Sequence, residues 1–529
     1  MKILSLRIQG FKNLEDVSVD FSKSGPAVVL VGQNGSGKSN LLEAIATIFR
    51  DLSLDRRTPF NFEITYTIRS HAVRIDHVLT RRNSTEFYIK SAPDSEYQKL
   101  GRSEFFSGQT LLPNNVFGYY SGTRDNLAEI FRPHEEAYYR LARGLKTSVV
   151  ERSSLAGRTQ LRPFFFGRLR NAGLVLLSYF ASGNPKLKGF LKDHLSIDNF
   201  DSALLTFSRP LWFERASSTS QGLPWDTVRS LDTEVGTFLK KLWEASLAPI
   251  SYVVSLPSPE TKRPVRRDHI FLFFPDSVKL AQAFGAEGTE QRFFTLLEAL
   301  VVLGILEDVQ VWIKRDGLME EISSKEISDG ERQLLTIIGL LYLTPGEESL
   351  FLLDEPDTHL NPSWKWDFLQ TIASQVGDTS SCQFILTSHD PLTIAGLKRE
   401  DVQIVFKDPT TRKTEVDHPS VDPKGLGVAG VLRQIFGLRT TLDPETQKLV
   451  DDRNRLLSRG QSDDNIEEEL RKINAKLDAL GLAYQSRDPD YDAFLRARHA
   501  VERVNERTYT PEEIEQQNSY IKQFIEKLN

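Results

Sequence analysis

Eight residues near the N-terminus have the composition of a phosphate-binding loop (P-loop). They read GQNGSGKS and satisfy the pattern G-x-x-x-x-G-K-[ST]. Gly35 and Gly37 let consecutive backbone N–H groups curl around phosphate oxygens, because no side chain stands in the way. Lys38 would reach the β- and γ-phosphates, and the Ser39 hydroxyl would bind Mg²⁺. The residues predicted to contact a bound nucleotide lie in this loop or just after it: Gly32, Asn34, Gly35, Ser36, Gly37, Lys38, Ser39 and Asn40.

Two adjacent carboxylates end an apolar run much farther along the chain. Residues 349–356 read SLFLLDEP, so Asp354 and Glu355 follow directly on a strand-like segment. A carboxylate at the C-terminal end of a strand beside a P-loop holds Mg²⁺ through water, and we assign this role to Asp354. Glu355 would then polarise the attacking water, as general base or as positioning group.

Two further motifs complete a possible phosphate site. In the run FILTSHDPL, an apolar strand-like segment is followed by His389, about 35 residues after the acidic pair. An imidazole at this position can contact a γ-phosphate. The stretch KEISDGERQ predicts a helix N-terminus, with Ser328 as N-cap and Glu331 as its capping-box partner. The first N–H groups of such a helix, together with its dipole, form an anion site.

Composition limits the class of protein. Hydrophobic residues make up 40% of the 529 residues and charged residues 26%, as in a soluble globular protein of more than one domain. The single cysteine, Cys382, excludes an internal disulfide and a cysteine-built zinc site. The start of the chain alternates like a strand and lacks a signal-peptide core, so we expect a cytoplasmic protein without membrane contact. A net charge of −6 leaves only local basic clusters, at 162–170 and 262–267, which we interpret as solvated surface.

The four motifs follow one another along the chain as the P-loop, SDGE, LLDEP and SH, and in this order they resemble those of the ATP-binding-cassette (ABC) ATPases. The opening LRIQGFKNLEDVSVDF and the run EPDTHLNP are typical of the SMC/RecF/OLD-like branch, and the match covers residues 1–125 and 270–410. The resemblance implies an α/β P-loop ATPase head with an antiparallel β layer, binding ATP and Mg²⁺. It also implies a head-to-tail sandwich, in which the signature of one subunit caps the γ-phosphate held by the P-loop of another.

The same resemblance assigns roles to single residues. The positions carried over share one composite nucleotide site: the signature residues Ser328, Asp329, Gly330 and Glu331, acting in trans; the D-loop residue Asp357; the switch histidine His389; and Lys12 and Asn13, near the α-phosphate and base. Ser39 and Asp354 are the implied metal ligands. The family's Q-loop glutamine has no clear counterpart, and Gln109 is the nearest candidate.

We expect four regions. A first ATPase lobe with the P-loop occupies residues 1–134, and a helical insertion occupies 135–267. A second lobe, with the signature, the acidic pair and the histidine, occupies 268–426. A helical C-terminal region for partner or oligomer contacts occupies 427–529.

The sequences of the insertion and of the tail are similar to those of defence-island ATPases of the PtuA type. Such ATPases are found in Septu and some retron systems beside an HNH endonuclease. This similarity implies a sensor or regulator subunit in antiphage defence, a homodimer or higher homo-oligomer, and a partner nuclease. It also implies contact with nucleic acid, either phage DNA or retron msDNA. We expect no intrinsic nuclease, because the nine histidines are scattered and the D-x-D at 488–490 lies in a polar, proline-containing stretch.

Four alternative functions remain open from the sequence. A RecF/SMC-like DNA repair ATPase would bind DNA without a nuclease partner. A tail that is itself an RNase would need partners for His499, the one histidine in the C-terminal region. A non-hydrolysing scaffold conflicts with an intact Glu355. A transporter subunit conflicts with the signature, because transporters tend to carry L-S-G-G-Q.

Overall fold

The structure is a computed structural model, and it describes most of the chain. The described residues are 1–79, 84–91, 95–107, 111–122, 125–143, 145, 162–182, 185–210, 234–256, 265–285, 289–317, 320–343, 347–375, 382–408, 410–438, 440–458 and 464–481. Contacts divide the chain into two compact units, Met1–Gly437 and Leu438–Asn529. No helix in these ranges has the length and apolar character that a membrane span requires.

The strands in chain order are β1 (Lys2–Phe11), β2 (Leu14–Asp20), β3 (Ala27–Val31), β4 (Asn61–Ile68), β5 (His71–Val78), β6 (Ser84–Lys90), β7 (Gln98–Leu100), β8 (Asn115–Tyr120), β9 (Phe164–Gly167), β10 (Ile197–Ser208), β11 (Leu247–Leu256), β12 (Val265–Phe274), β13 (Leu306–Arg315), β14 (Ile322–Ser323), β15 (Ser349–Asp354), β16 (Cys382–Thr387), β17 (Val402–Lys407) and β18 (Thr414–Asp417).

The helices are α1 (Lys38–Ser53), α2 (Arg102–Phe105), α3 (Asn126–Ala142), α4 (Asn171–Ser182), α5 (Pro185–Leu195), α6 (Glu234–Ala245), α7 (Ser277–Phe284), α8 (Glu290–Val302), α9 (Asp329–Leu343), α10 (Pro362–Gln375), α11 (Pro391–Ile394), α12 (Gly427–Gln434), α13 (Pro444–Ser458) and α14 (Asp464–Ala479). Of these, α13 and α14 lie in the second unit, and the others lie in the first.

A seven-stranded sheet carries the predicted site. Its order is β18-β17-β3-β16-β15-β8-β9, and every neighbouring pair is parallel except β17 with β18. Because parallel strands end at the same edge, the residues after β3, β15 and β16 come together there. The central strands are buried on both faces, which explains their continuous apolar sequences. In β15, for example, Phe351 and Leu353 belong to one hydrophobic core, and Leu350 and Leu352 to the other.

The predicted antiparallel layer is confirmed. Its six strands run in the order β2-β1-β4-β5-β6-β7, and each neighbouring pair is antiparallel. Strand β4 alternates between half-buried and buried residues along its whole length. That period of two places one face against α1 and the second core and leaves the other face toward solvent.

The stretch 135–267 is not purely helical, and the expectation of helices alone was wrong. It contains α4, α5 and α6, but also β9, β10, β11 and the start of β12. These strands join a five-stranded antiparallel sheet of order β11-β12-β10-β13-β14, apart from β9, which extends the seven-stranded sheet. Strand β10 meets β13 with three register shifts, and such bulges break the period of two by which a strand is recognised.

The basic cluster at 162–170 is also not all solvated surface, contrary to the sequence interpretation. The guanidinium of Arg162 is buried, lies 2.6 Å from a Glu298 carboxylate oxygen, and stacks over the ring of Phe165. Glu135 lies 3.6 Å from the same guanidinium. Since a buried charge needs paired counter-charges, Arg162 is a structural residue that links β9 to α8 and α3.

Candidate functional site

The loop between β3 and α1 has the backbone that phosphate binding requires. Gly32, Gly35 and Gly37 all have positive φ angles, of 149°, 78° and 117°. A Cβ on Gly32 would lie 2.0 Å from the Val405 carbonyl oxygen, so only glycine fits at that position. The Ser36 hydroxyl is buried and has no hydrogen-bond partner among the described residues. An unpartnered buried donor in a glycine-lined loop fits a phosphate oxygen as its missing partner.

Lys38 occupies the first position of α1 and is only 5% exposed. Its ammonium donates to the carbonyl oxygens of Gly32, at 2.8 Å, and Gln33, at 3.1 Å, and so lies across the loop. Burial lowers the pKa of Lys38 to about 8, although Glu355 and Asp354 nearby act in the opposite direction. The group is therefore a cation at neutral pH whose charge is not fully compensated.

Asp354, the last residue of β15, faces the P-loop. Its Oδ1 accepts hydrogen bonds from the hydroxyls of Ser39, at 3.1 Å, and Thr387, at 2.6 Å. Burial raises the pKa of Asp354 above its usual range, and the two hydroxyl donors partly oppose this effect. The two predicted metal ligands, which are 315 residues apart in the sequence, are thus in direct contact.

Glu355 and His389 form a pair beside this contact. The His389 Nε2 lies 3.1 Å from a Glu355 carboxylate oxygen, and both side chains are about one-third exposed. The hydrogen bond from His389 lowers the pKa of Glu355, burial opposes the shift, and Lys38 adds to it. Glu355 is therefore ionised at neutral pH, as an acceptor of a proton from water must be.

Lys12 and Asn13 contact the P-loop region in different ways. The Asn13 amide donates to the Ser36 carbonyl oxygen at 3.3 Å, and its own oxygen accepts from Asn40 at 2.5 Å. Thr414 on β18 adds a hydrogen bond to the Ser36 carbonyl at 3.0 Å. The side chain of Lys12 forms an ion pair with Glu43 of α1. Asn13 thus supports the P-loop through these hydrogen bonds. The expected position of Lys12 and Asn13 near the α-phosphate and base stays a prediction.

Asp357 ties the loop after β15 to the loop after β16. It is 3% exposed and accepts hydrogen bonds from the hydroxyls of Ser388, at 2.5 Å, and Thr393, at 2.6 Å. Burial raises its pKa, and the two hydroxyls partly offset the effect. Asp357 therefore holds the segment that carries His389, and its assignment to a D-loop stays a prediction.

The signature begins α9 with the predicted capping box. The Ser328 N–H and hydroxyl donate to Glu331 Oε2 at 3.0 and 2.8 Å, and the Glu331 N–H donates to the Ser328 hydroxyl at 3.4 Å. Burial acts to raise the pKa of Glu331, but hydrogen bonds from Arg315 and Ser328 bring it below its usual range. Ser328 and Asp329 are exposed, and within the described ranges no hydrogen bond or ion pair joins residues 328–331 to residues 32–40.

The donor set suits Mg²⁺ better than a softer metal. Ser39 and Asp354 offer hard oxygen ligands, and Mg²⁺ in nucleotide sites takes one or two of these and completes its shell with phosphate and water. The parts of the chain that are described contain no cluster of three or more His, Cys, Asp or Glu residues that could hold a metal alone.

Three site residues were missed by the sequence reasoning. Thr387 precedes the histidine in LTSH, and its position at a strand end was the available signal. Ser388 and Thr414 carried no signal, because their partners depend on strand order. Several predicted positions lie outside the described residues: Gln109, residues 262–264 of the cluster 262–267, Asp488–Asp490 and His499.

Comparisons with known proteins agree with this geometry. The family model described as "AAA ATPase domain" matches residues 1–116, and that described as "AAA domain, putative AbiEii toxin, Type IV TA system" matches residues 197–395. The Septu protein PtuA of Bacillus mycoides (strain KBAB4) is 26% identical over 185 residues, which are 32% of this chain and 25% of that protein. The retron Vc95 probable ATPase of Vibrio cholerae serotype O1 biovar El Tor is 28% identical over 170 residues, 30% of this chain and 32% of that protein.

A longer match joins the chain to the retron Ec83 probable ATPase of Escherichia coli. The two are 21% identical over 425 residues, 74% of this chain and 69% of that protein. The matched parts of the first two relatives, by contrast, are only about a quarter and a third of their lengths. The chain thus matches ATPase-domain models in two regions and is related to PtuA and to retron ATPases, and the resemblance predicted from the motifs is confirmed.

Proposed function

We propose that the chain binds ATP with Mg²⁺ and hydrolyses it. The observation that carries the proposal is the 3.1 Å contact between Ser39 and Asp354, with Lys38, Glu355 and His389 around it. Bound Mg²⁺ would neutralise charge on the transferred phosphoryl group, held by Ser39 and by Asp354 through water. Lys38 binds the phosphates, and Glu355 accepts the proton of the attacking water while His389 orients that carboxylate.

The active unit is two copies arranged head to tail. The N-terminal turn of α9 is an exposed anion site whose Ser328 hydroxyl and N–H groups lie on the surface of the chain. A P-loop phosphate from a second copy would complete it, and the same operation would place the other signature on the first P-loop. Each nucleotide would then be enclosed by two chains.

The biological role we propose is a cytoplasmic sensor or regulator subunit in bacterial antiphage defence. Support comes from the printed names of the relatives, a Septu protein and two retron ATPases. ATP-dependent closure of the two heads would restrain or release a partner nuclease, of the HNH type in the resemblance above. A RecF-like repair ATPase is the competing function, and it predicts stimulation by DNA without any nuclease partner.

Glu355→Gln tests the hydrolytic assignment. Glutamine keeps the shape of the side chain but cannot accept a proton, so we expect phosphate release to fall by about 10²–10⁴-fold. ATP binding should persist, and ATP should increase the assembled mass of the variant in size-exclusion chromatography with light scattering. Glu129→Gln is the matched control, because Glu129 is an exposed residue of α3 outside the nucleotide site, and it should behave as wild type. Wild-type turnover in Glu355→Gln would contradict the assignment.

A further inference from the structure

Strand β11 forms one edge of the five-stranded sheet and has the character of a pairing surface. Its sequence, LAPISYVVSL, contains no charged residue. Ile250, Tyr252 and Val253 are exposed by 60%, 63% and 49%, respectively. Beyond the register shift that lies between Leu247 and Ile250, its pairing with β12 is regular to Leu256. No strand among the described residues pairs with its other side, so a regular run of seven residues presents its outer row of N–H and C=O groups there.

Next to this edge, β12 places one large apolar residue, Phe271, on the face turned away from the core. Ile270 and Leu272 of β12 are buried in the core, so Phe271, between them, points to the opposite face. Phe271 is paired with Ile250 of β11 and is only half-buried. The apolar surface therefore continues from the exposed edge strand onto its neighbour.

Soluble proteins protect such edges, and β11 lacks the usual devices. Charged side chains, prolines and bulges within an edge strand prevent a further strand from adding to it. In β11 the proline and the register shift both fall before Ile250, and nothing of the kind occurs from Ile250 to Leu256. An uncharged, β-branched and aromatic strand of this kind is built to be covered by another strand.

The sequence of residues 250–256 indicates which strand pairs with this edge. Residues 250–256 read ISYVVSL, which is nearly palindromic about Val253. An antiparallel pair of two such runs, centred on Val253, sets Ser251 opposite Ser255, Ile250 opposite Leu256 and Tyr252 opposite Val254. In this register the sequence pairs apolar residues with apolar residues and serine with serine, and neither strand contains a charged residue. An unrelated partner strand would not require this symmetry.

We propose that β11 pairs antiparallel with β11 of a second copy of this chain. The two-fold axis passes through Val253, perpendicular to the sheet, and joins the two five-stranded sheets into one. Because that axis keeps the faces of the sheet, Ile250 and Tyr252 of both copies lie on the same outer face. The contact uses none of the nucleotide-site residues, so it forms without ATP and does not rest on the proposed function.

A seven-residue strand pair is small against the roughly 1,600 Å² of a standard protein interface, so the contact is weak by itself. Combined with the ATP-dependent head-to-tail contact, it gives the chain two different two-fold interfaces. A chain with two such interfaces assembles beyond a dimer when both are formed. Nucleotide would then control the size of the assembly, while β11 supplies its constant contact.

A charge-swap experiment at Val253 tests the proposal in nucleotide-free protein. Val253→Lys and Val253→Glu each place like charges opposite one another at the two-fold axis, so each should weaken self-association by at least about tenfold. An equimolar mixture sets Lys opposite Glu and should restore association to within about threefold of wild type. Sedimentation velocity over an approximately hundredfold concentration range measures all three.

Val278→Lys is the matched control, because Val278 is 65% exposed at the start of α7 in the same unit. It should associate as wild type does. Wild-type self-association in either single Val253 variant would overturn the proposal, as would a wild type that stays monomeric. If both variants lose association and the mixture does not restore it, β11 is covered by something other than a second β11, and the proposal is also wrong.

Discussion

The Thr387 hydroxyl fixes both carboxylates of the site. It donates to Asp354 at 2.6 Å and accepts the backbone N–H of Glu355 at 2.9 Å. Glu355 has a φ of 51°, in the left-handed region that a non-glycine residue enters only at a cost of about 1–2 kcal/mol. The hydrogen bond from its N–H helps to hold that conformation, and this directs the side chain toward His389. The strain lies at the residue that we propose as the general base, and strained residues are common in active sites.

Thr387→Val should therefore weaken catalysis without unfolding the protein. Valine matches the shape of threonine but leaves the Glu355 N–H unpaired, at a cost of about 1–3 kcal/mol. We expect the phosphate-release rate to fall by about tenfold and the Mg²⁺ concentration needed for half-maximal rate to rise. Thr387→Ser restores the hydroxyl and should recover most of the rate. Wild-type magnesium dependence in Thr387→Val would show that the hydroxyl does not position the site.

The lowered pKa of Lys38 predicts a pH dependence of ATP binding. Below a pH of about 8 the free protein carries a charged Lys38, and above it the group is neutral. Bound phosphates favour the charged form, so ATP binding takes up a proton above that pH and affinity falls as pH rises. The loss should approach roughly tenfold per pH unit.

Isothermal titration calorimetry at pH 7 and pH 9, in buffers of different ionisation enthalpy, measures both the affinity and the proton uptake. The charge of an arginine does not titrate in this range, so Lys38→Arg should bind with little pH dependence if it binds at all. A pH-independent affinity in the wild-type protein would contradict the assigned pKa and its link to phosphate binding.

At the scale of elements, contacts join the start of α9 to the loops after β15 and β16. A Cβ on Gly330 would lie 2.4 Å from the His359 carbonyl oxygen, so the start of α9 rests on the loop after β15. Gln333 of α9 donates to the Pro356 carbonyl oxygen in the same loop. Asp357 then joins this loop to Ser388 in the loop after β16. The start of α9 is thereby linked to Glu355 and His389, and in the proposed dimer this connects the two nucleotide sites.

Gly330→Ala should break that linkage. The added methyl group meets backbone rather than a flexible side chain, so the N-terminus of α9 must move away from the loop after β15. We expect ATPase activity to fall by about 10- to 100-fold while ATP binding to the chain's own P-loop stays near wild type. Gly396→Ala is the control, because no atom lies within 4 Å of the added Cβ. Equal loss of ATP binding and hydrolysis would count against a purely trans-acting signature.

The sequence was informative where a residue's role depends on its neighbours in the chain. The P-loop pattern, the apolar strands β3, β15 and β16, and the Ser328–Glu331 capping box are local features, and they were predicted correctly. Thr387 and Thr414 were missed, because their partners are set by which strands lie side by side. Strands β10 and β11 were missed for a related reason, since register shifts and an uncharged edge conceal the usual alternation.

At the scale of the whole molecule, the central claim is that each ATP site is built from two chains. Lys38→Ala removes the phosphate-binding cation and leaves the signature intact. Ser328→Arg blocks the signature with a bulky side chain and leaves the P-loop intact. Each variant alone should lack ATPase activity, and Ser328→Arg should still bind ATP.

Mixing these two variants tests the claim most directly. In a mixed dimer both substitutions fall in one site, and the other site combines the intact P-loop of one chain with the intact signature of the other. An equimolar mixture after subunit exchange should regain roughly a quarter of wild-type phosphate release, if the sites act independently. Phosphate release no greater than the sum of the two variants measured separately, in a mixture shown to contain mixed dimers, would contradict a site shared between two chains.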